Sequence, residues 1–240
     1  SPDGYTILLG TTTHAVTVSL YRKLPYDLIK DLAPVTLLLI APNILLVHPS
    51  VPSRTLSEFI ALAKAKPHQI NYGSSGNGGT GHLSMEMLKS MVGIDLVHIP
   101  YKGGGPALSA LLSGEISVLF NNIIAAVPQV KAGRVRALGV TTSHRSPAVP
   151  AVPTIAEAGV PGFEATAWFG LWVPATTPPA IINKLNGEIA QILKLPEIHE
   201  RLSSQGAEPV SNSPQEFDVL IRSEIAKWRM VIEAARIVPE

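Results

Sequence analysis

Residues 71–91 read NYGSSGNGGTGHLSMEMLKSM. A short apolar run gives way to glycines and small polar residues, and then to a segment of helical period. A strand that turns through glycine into a helix is the repeating unit of α/β proteins. The turn itself favours an anion. Gly73, Gly76, Gly78, Gly79 and Gly81 let the backbone approach a ligand closely. The first turn of the following helix leaves N–H groups unpaired at the positive end of its dipole. Ser74, Ser75, Asn77 and Thr80 add neutral donors. Gly76, Gly78 and Gly81 also spell G-x-G-x-x-G, but the next strand ends in His98 and Ile99 with no acidic residue for a ribose. His82 stands where the lysine of a Walker loop would follow the last glycine. A purely structural glycine-rich turn is the alternative.

The same design recurs on either side. PYKGGGPALSALLSG at 100–114 is again strand, glycines and helix start, and the backbone from Gly103 to Gly105 could share one ligand with the first loop. Lys102 beside it reads more simply as solvated surface. GTTTHAVTVSLYRKLPYD at 10–27 places Thr11, Thr12 and Thr13 between a strand and a helix, where open α/β sheets bind ligands; a capping cluster explains them equally well. His14 either binds or packs. Asn121 and Asn122 end another strand and could bond a polar ligand group.

Further strands are expected at 5–10, 44–47, 70–73, 94–99, 116–120 and 135–140, so the core is a sheet covered by helices on both faces. Thr55 with Glu58 forms a capping box for a helix that buries Leu56, Phe59, Ile60 and Ala63 and ends before Pro67. Pro106 and Gly114 bracket a second helix with Leu108, Leu111 and Leu112 on its inner side. Two consecutive helices follow near the end, Pro178 to about Leu193 after a Thr177 cap and Pro196 to about Gln205. A last helix opens at Ser213 with Pro214 at its first position, a second box to Glu216, and a stripe of Phe217, Leu220, Ile221, Ile225 and Trp228. The proline-flanked segments 41–52 and 167–179 read as crossings between two lobes, or as ordinary strand ends.

Composition narrows the function. The chain has 240 residues, 46% hydrophobic and 15% charged, with a net charge of +1 and no cysteine. That balance describes a compact protein, excludes disulfides and thiolate chemistry, and leaves too little charge for nucleic acid or an anionic membrane surface. VTLLLIAPNILLV at 35–47 falls short of the roughly 20 residues of a membrane span. The seven histidines form no H-E-x-x-H or paired metal spacing, and no G-x-S-x-G elbow accompanies them, so no catalytic residue, metal or cofactor is assigned. Glu86 and Glu115 read as solvated faces. The chain opens at Ser1 without a basic and apolar leader, and is expected to be a processed product or a fragment.

Several stretches together resemble the Bug, or tripartite tricarboxylate receptor, family of extracytoplasmic solute-binding proteins. They are PDGYTILLG at 2–10, SLYRKLPYD at 19–27, SSGNGGTGHL at 74–83, VHIPYKGGGPAL at 97–108, RSPAVPAVPTIAEAGVPGFE at 145–164, AWFGLWVPATTPP at 167–179 and QGAEPV at 205–210. The resemblance implies a type II periplasmic-binding-protein fold, two α/β lobes joined by crossing strands. Lobe one would be 1–47 plus 166–240, with an earlier strand, loop and helix of the family missing before the P-D-G-Y-T motif; lobe two would be 48–165. It implies a periplasmic receptor that closes on a small organic carboxylate and delivers it to membrane permease subunits. The receptor would act as a monomer without membrane insertion, nucleic acid or enzymatic activity. Thr11 to Thr13 would line one lobe, and Ser74, Ser75, Asn77, Gly78, Gly79, Thr80 and Asn121 the other; His82 and Gly103 complete the candidate set. The family often carries an acidic residue where Asn121 stands, which favours plain carboxylates over amino acids here. The rival readings are an α/β enzyme acting on a carboxylate or phosphate-containing small molecule, and the effector-sensing domain of a regulator.

Overall fold

The computed structural model describes residues 1–234 and 237. The chain falls into two compact units, Ser1–Ile40 with Ala167–Glu240, and Ala41–Thr166. The first change of unit comes inside a long strand, β2 (Leu32–Val47), and not at its end. The reason is a change of partners. Leu39 and Ile40 pair with β8 (Glu208–Pro209), whereas Asn43–Val47 pair with β5 (Val118–Asn122) and Ile44–Val47 with β6 (Arg136–Val140). The short strand expected at 44–47 is therefore the last part of a run that passes through Pro34 and Pro42.

In the first unit β1 (Leu8–Thr11) runs antiparallel to β7 (Thr166–Pro174), with Gly10 opposite Gly170. Both glycines are bare because aromatic rings occupy the space: a Cβ on Gly10 would meet the Trp172 ring and one on Gly170 the Phe217 ring. Strand pairing begins only at Leu8, and Tyr5 is 93% exposed, so the strand is shorter than the apolar run from residue 5. Helix α1 (Thr12–Leu20) packs on α8 (Pro214–Ala234). Phe217 and Ile221 of α8 join Ala15, Leu28, Leu37, Trp168 and Trp172 in the core of this unit. The box at the start of α8 is present: Glu216 N donates to Ser213 Oγ at 3.2 Å and Ser213 N to Glu216 Oε2 at 2.8 Å. Helices α6 (Pro179–Leu193) and α7 (Pro196–Ser204) precede β8. Thr177 does not cap α6. Pro178 takes that position, and the Thr177 hydroxyl is buried without a partner among the described residues.

The second unit has its own sheet, in the order β6, β2, β5, β3 (Asn71–Ser74), β4 (Val97–Pro100). β3 runs parallel to both β4 and β5, so these three strands end at the same edge. Helices α2 (Leu56–Ala65), α3 (Thr80–Val92), α4 (Gly104–Ser113) and α5 (Ile123–Lys131) alternate with the strands. Leu111, Ile116, Leu119 and Ile123 pack with Ile44 and Leu46 in a continuous core. Thr55 caps α2 by accepting from Glu58 N at 3.2 Å, but the Glu58 carboxylate reaches back to Arg54 N, one residue beyond the expected box partner.

Glu224 shows how the first unit accommodates a buried charge. Its Oε2 accepts from the indole N–H groups of Trp168 at 3.1 Å and Trp228 at 2.9 Å, and both rings are buried. Replacing Glu224 with alanine strands two buried donors and should destabilise the protein by about 2–4 kcal/mol, whereas glutamine keeps an acceptor and should cost about 1 kcal/mol. Urea unfolding followed by tryptophan fluorescence checks both values.

Candidate ligand-binding site

Because β4, β3 and β5 are parallel, the loops after them begin at one edge of the second unit's sheet, the edge where open α/β sheets hold ligands. The first two loops are bonded to each other. Tyr101 N donates to Ser74 O at 3.0 Å and Gly103 N to Ser75 O at 3.1 Å. Asn121, at the end of β5, joins them by donating from Nδ2 to Gly104 O at 3.4 Å, while its Oδ1 accepts from Asn122 N at 3.0 Å. A Cβ on Gly104 would lie 2.8 Å from that Oδ1, and one on Gly81 would meet the Phe120 carbonyl. Glycine at these two positions lets both helices start against β5.

The helices of this unit differ in how they start. Thr55 caps α2 and Asn122 caps α5, the latter by accepting from Ile124 N at 3.0 Å. Helices α3 and α4 begin after Gly79 and Gly103 and have no side-chain cap. The first amides of a helix have no carbonyl partner within it, so those of Thr80 and Gly81, and of Gly104 and Gly105, are donors that a ligand can take. By contrast, the loop ahead of α3 has its own acceptors. Gly76 N donates to Ser74 Oγ at 3.2 Å, Gly78 N to His82 Nδ1 at 3.1 Å, and Gly79 N to Gly76 O at 3.2 Å. Gly76 and Gly78 have φ of +129° and +70°, backbone that favours glycine.

The predicted residues therefore sort by position. Ser74, Ser75, Asn77, Gly78, Gly79, Thr80, His82, Gly103 and Asn121 gather at this edge. Ser75 and Asn77 are exposed and Thr80 is half-buried, while Ser74, Gly78, His82 and Asn121 are buried. Thr11, Thr12 and Thr13 belong to the first unit, where the side chains of the first two take part in the fold. Thr11 caps α1 in a box with His14, and the buried Thr12 hydroxyl accepts from Trp168 N at 2.9 Å. Lys102 is exposed.

Behind the loop the candidate residues His82 and Ser74 meet Tyr72 and His98, which sequence reasoning missed. Tyr72 and His98 are register partners on β3 and β4, and their rings stack at 4.7 Å. His82, from the first turn of α3, stacks on His98 at 4.0 Å and 8°. His98 Nε2 is 2.7 Å from Ser74 Oγ. Glu86, expected on a solvated face, is mostly buried; it accepts from Tyr72 OH and from Lys89 Nζ at 2.8 Å. Burial, with His82 and Lys89 nearby, pushes the His98 imidazole down to about 4; burial also lowers His82, and burial with the Glu86 carboxylate raises the Tyr72 hydroxyl. Among the described residues no cluster of three or more His, Asp or Glu could hold a metal ion, and no helix is long and apolar enough to cross a membrane.

Comparison with solved structures places this fold among the periplasmic solute-binding proteins. Rpa4515 of R. palustris, solved with adipate, is 39% identical with a TM-score of 0.94, covering 100% of this chain and 81% of that one. MatC of Rhodopseudomonas palustris, solved with malate, is 35% identical with a TM-score of 0.87, covering 97% and 80%. The family model for the tripartite tricarboxylate transporter family receptor matches residues 1–237, and the chain belongs to that family. Protein BugT of Bordetella pertussis is 36% identical over 232 residues, which is 96% of this chain and 71% of BugT.

The lowered His98 has a consequence for stability. A histidine near 6.5 in the unfolded chain and about 4 in the folded one makes the unfolded state take up the proton first. Stability is then complete at neutral pH and declines as the pH falls from about 6.5 toward about 4. His98→Gln should flatten that part of the profile relative to the wild type, as read from urea midpoints across the range.

Proposed function

We propose that this chain is a periplasmic solute-binding receptor that captures a small organic carboxylate for a tripartite tricarboxylate-type uptake system and passes it on to membrane permease subunits. Its two units are the two lobes of such a receptor. The observation that carries the reading is the pair of uncapped helix starts, α3 and α4, bonded together through Gly103 N and Ser75 O. Amides at two helix starts supply several N–H donors and two positive dipole ends, which suits a carboxylate without requiring an arginine. Adipate and malate, in the two similar structures, are small dicarboxylates. Asn121 brings no negative charge to the loops, so a ligand ammonium group finds no ion pair with it, and plain carboxylates are favoured over amino acids.

The enzymatic reading has one specific observation in its favour, the 2.7 Å approach of Ser74 Oγ to His98 Nε2. A nucleophile must reach a substrate. Ser74 is fully buried, and its Oγ is bonded to both the carbonyl and the amide of Gly76. The pair reads as a structural tie, and the protein as a binder that releases its ligand unchanged.

Isothermal titration against adipate, malate, succinate, citrate, aspartate and glutamate tests the proposal, with NMR of the recovered ligand as the check for turnover. A dicarboxylate should bind and be recovered intact, and Thr80→Ala should weaken it about five- to tenfold through loss of one hydroxyl contact, with an unchanged melting temperature. Tightest binding of an amino acid, or an unaltered affinity in Thr80→Ala, would count against it.

A further inference from the structure

Three rings from three different elements stand face to face behind the glycine loop: Tyr72 of β3, His98 of β4 and His82 of α3. Each histidine holds one point of the loop. His82 Nδ1 accepts the Gly78 amide, so that nitrogen carries no proton. His98 Nε2 holds Ser74 Oγ, which in turn binds both the amide and the carbonyl of Gly76. Between these two ties the backbone turns through two left-handed glycines. The amides of Gly76, Gly78 and Gly79 are thereby taken within the loop, while those of Thr80 and Gly81, in the first turn of α3, have no carbonyl partner within the helix.

We infer that His82 and His98 are positioning residues for the carboxylate cradle: a neutral stacked pair that ties back Gly78 and, through Ser74, Gly76, so that the start of α3 is presented ready-made to the ligand. The inference rests on the carboxylate-receptor reading, and it places His82 behind the loop and not against the ligand. Neutrality is part of the device. A proton on either ring would set a cation against the other imidazole 4.0 Å away, and a proton on His82 Nδ1 would displace the Gly78 amide. The charged and titratable groups facing the pair are Tyr72 on β3 and Glu86 and Lys89 on α3, which are bonded to one another. A tied loop loses little freedom on binding, and that raises affinity.

The test uses the chain with adipate and malate as probes. His98→Phe keeps a stacked ring but loses the tie to Ser74, while His98→Gln restores an N–H within reach of it. Affinity should fall about tenfold in His98→Phe and recover to within about threefold in His98→Gln, the worth of one buried hydrogen bond. Ring ¹⁵N shifts of the ligand-free wild type should show His82 still neutral, with Nδ1 as an acceptor, at the ordinary histidine midpoint of about 6.5. Equal losses in both variants, no loss in either, or a His82 already half-protonated at that midpoint would overturn the inference. If the wild type binds neither acid, the receptor reading fails and the positioning role is judged by amide exchange. Gly78 should exchange about tenfold faster in His82→Phe, and an unchanged rate would overturn the role.

Discussion

Every amide at the start of a helix must find an acceptor, and in the second unit the chain meets that requirement unevenly. Thr55 and Asn122 close α2 and α5, while Gly79 and Gly103 leave α3 and α4 open. The unevenness is local to one edge of the sheet, because β4, β3 and β5 run parallel and end together. An open helix start can take an anion. Two of them, held together by backbone hydrogen bonds, are the place we propose for the ligand's carboxylate.

The rest of the unit keeps these helix starts in place. Close contact of Gly81 and Gly104 with β5 fixes where each helix begins, since a side chain at either position would meet Phe120 or Asn121. The stacked histidines hold the loop from behind, and Glu86 joins Tyr72 to Lys89 beside them. In the first unit the same close fit appears in apolar form. Gly10 and Gly170 stand opposite each other so that Trp172 and Phe217 can occupy the space, and Glu224 accepts from the buried indoles of Trp168, which packs on both of those rings, and of Trp228.

Much of this was legible from local chemistry. The glycine loops, the helices over 56–65 and 104–113, and the Ser213–Glu216 box follow from residues a few positions apart, and the structure holds them at nearly those bounds. Features that depend on partners distant in sequence were not legible. β2 continues through two prolines because β8, β5 and β6 line it, none of which is near it in the chain. Thr177 has the composition of a cap, but the fold gives that place to Pro178. The histidine stack depends on the parallel register that sets Tyr72 beside His98, and nothing between residues 72 and 98 announces it. Glu86 had the look of a surface residue for the same reason: its partner Tyr72 lies on another element.

The central claim is that the opening amides of α3 receive the carboxylate while the loop amides before them do not. Backbone ¹⁵N–¹H spectra recorded as adipate is added test it directly. The account predicts that the signals of Thr80 and Gly81 move most, with Gly104 and Gly105 following and Gly78 nearly still. Shifts centred on Gly78, or on residues away from the ends of β3, β4 and β5, would contradict it.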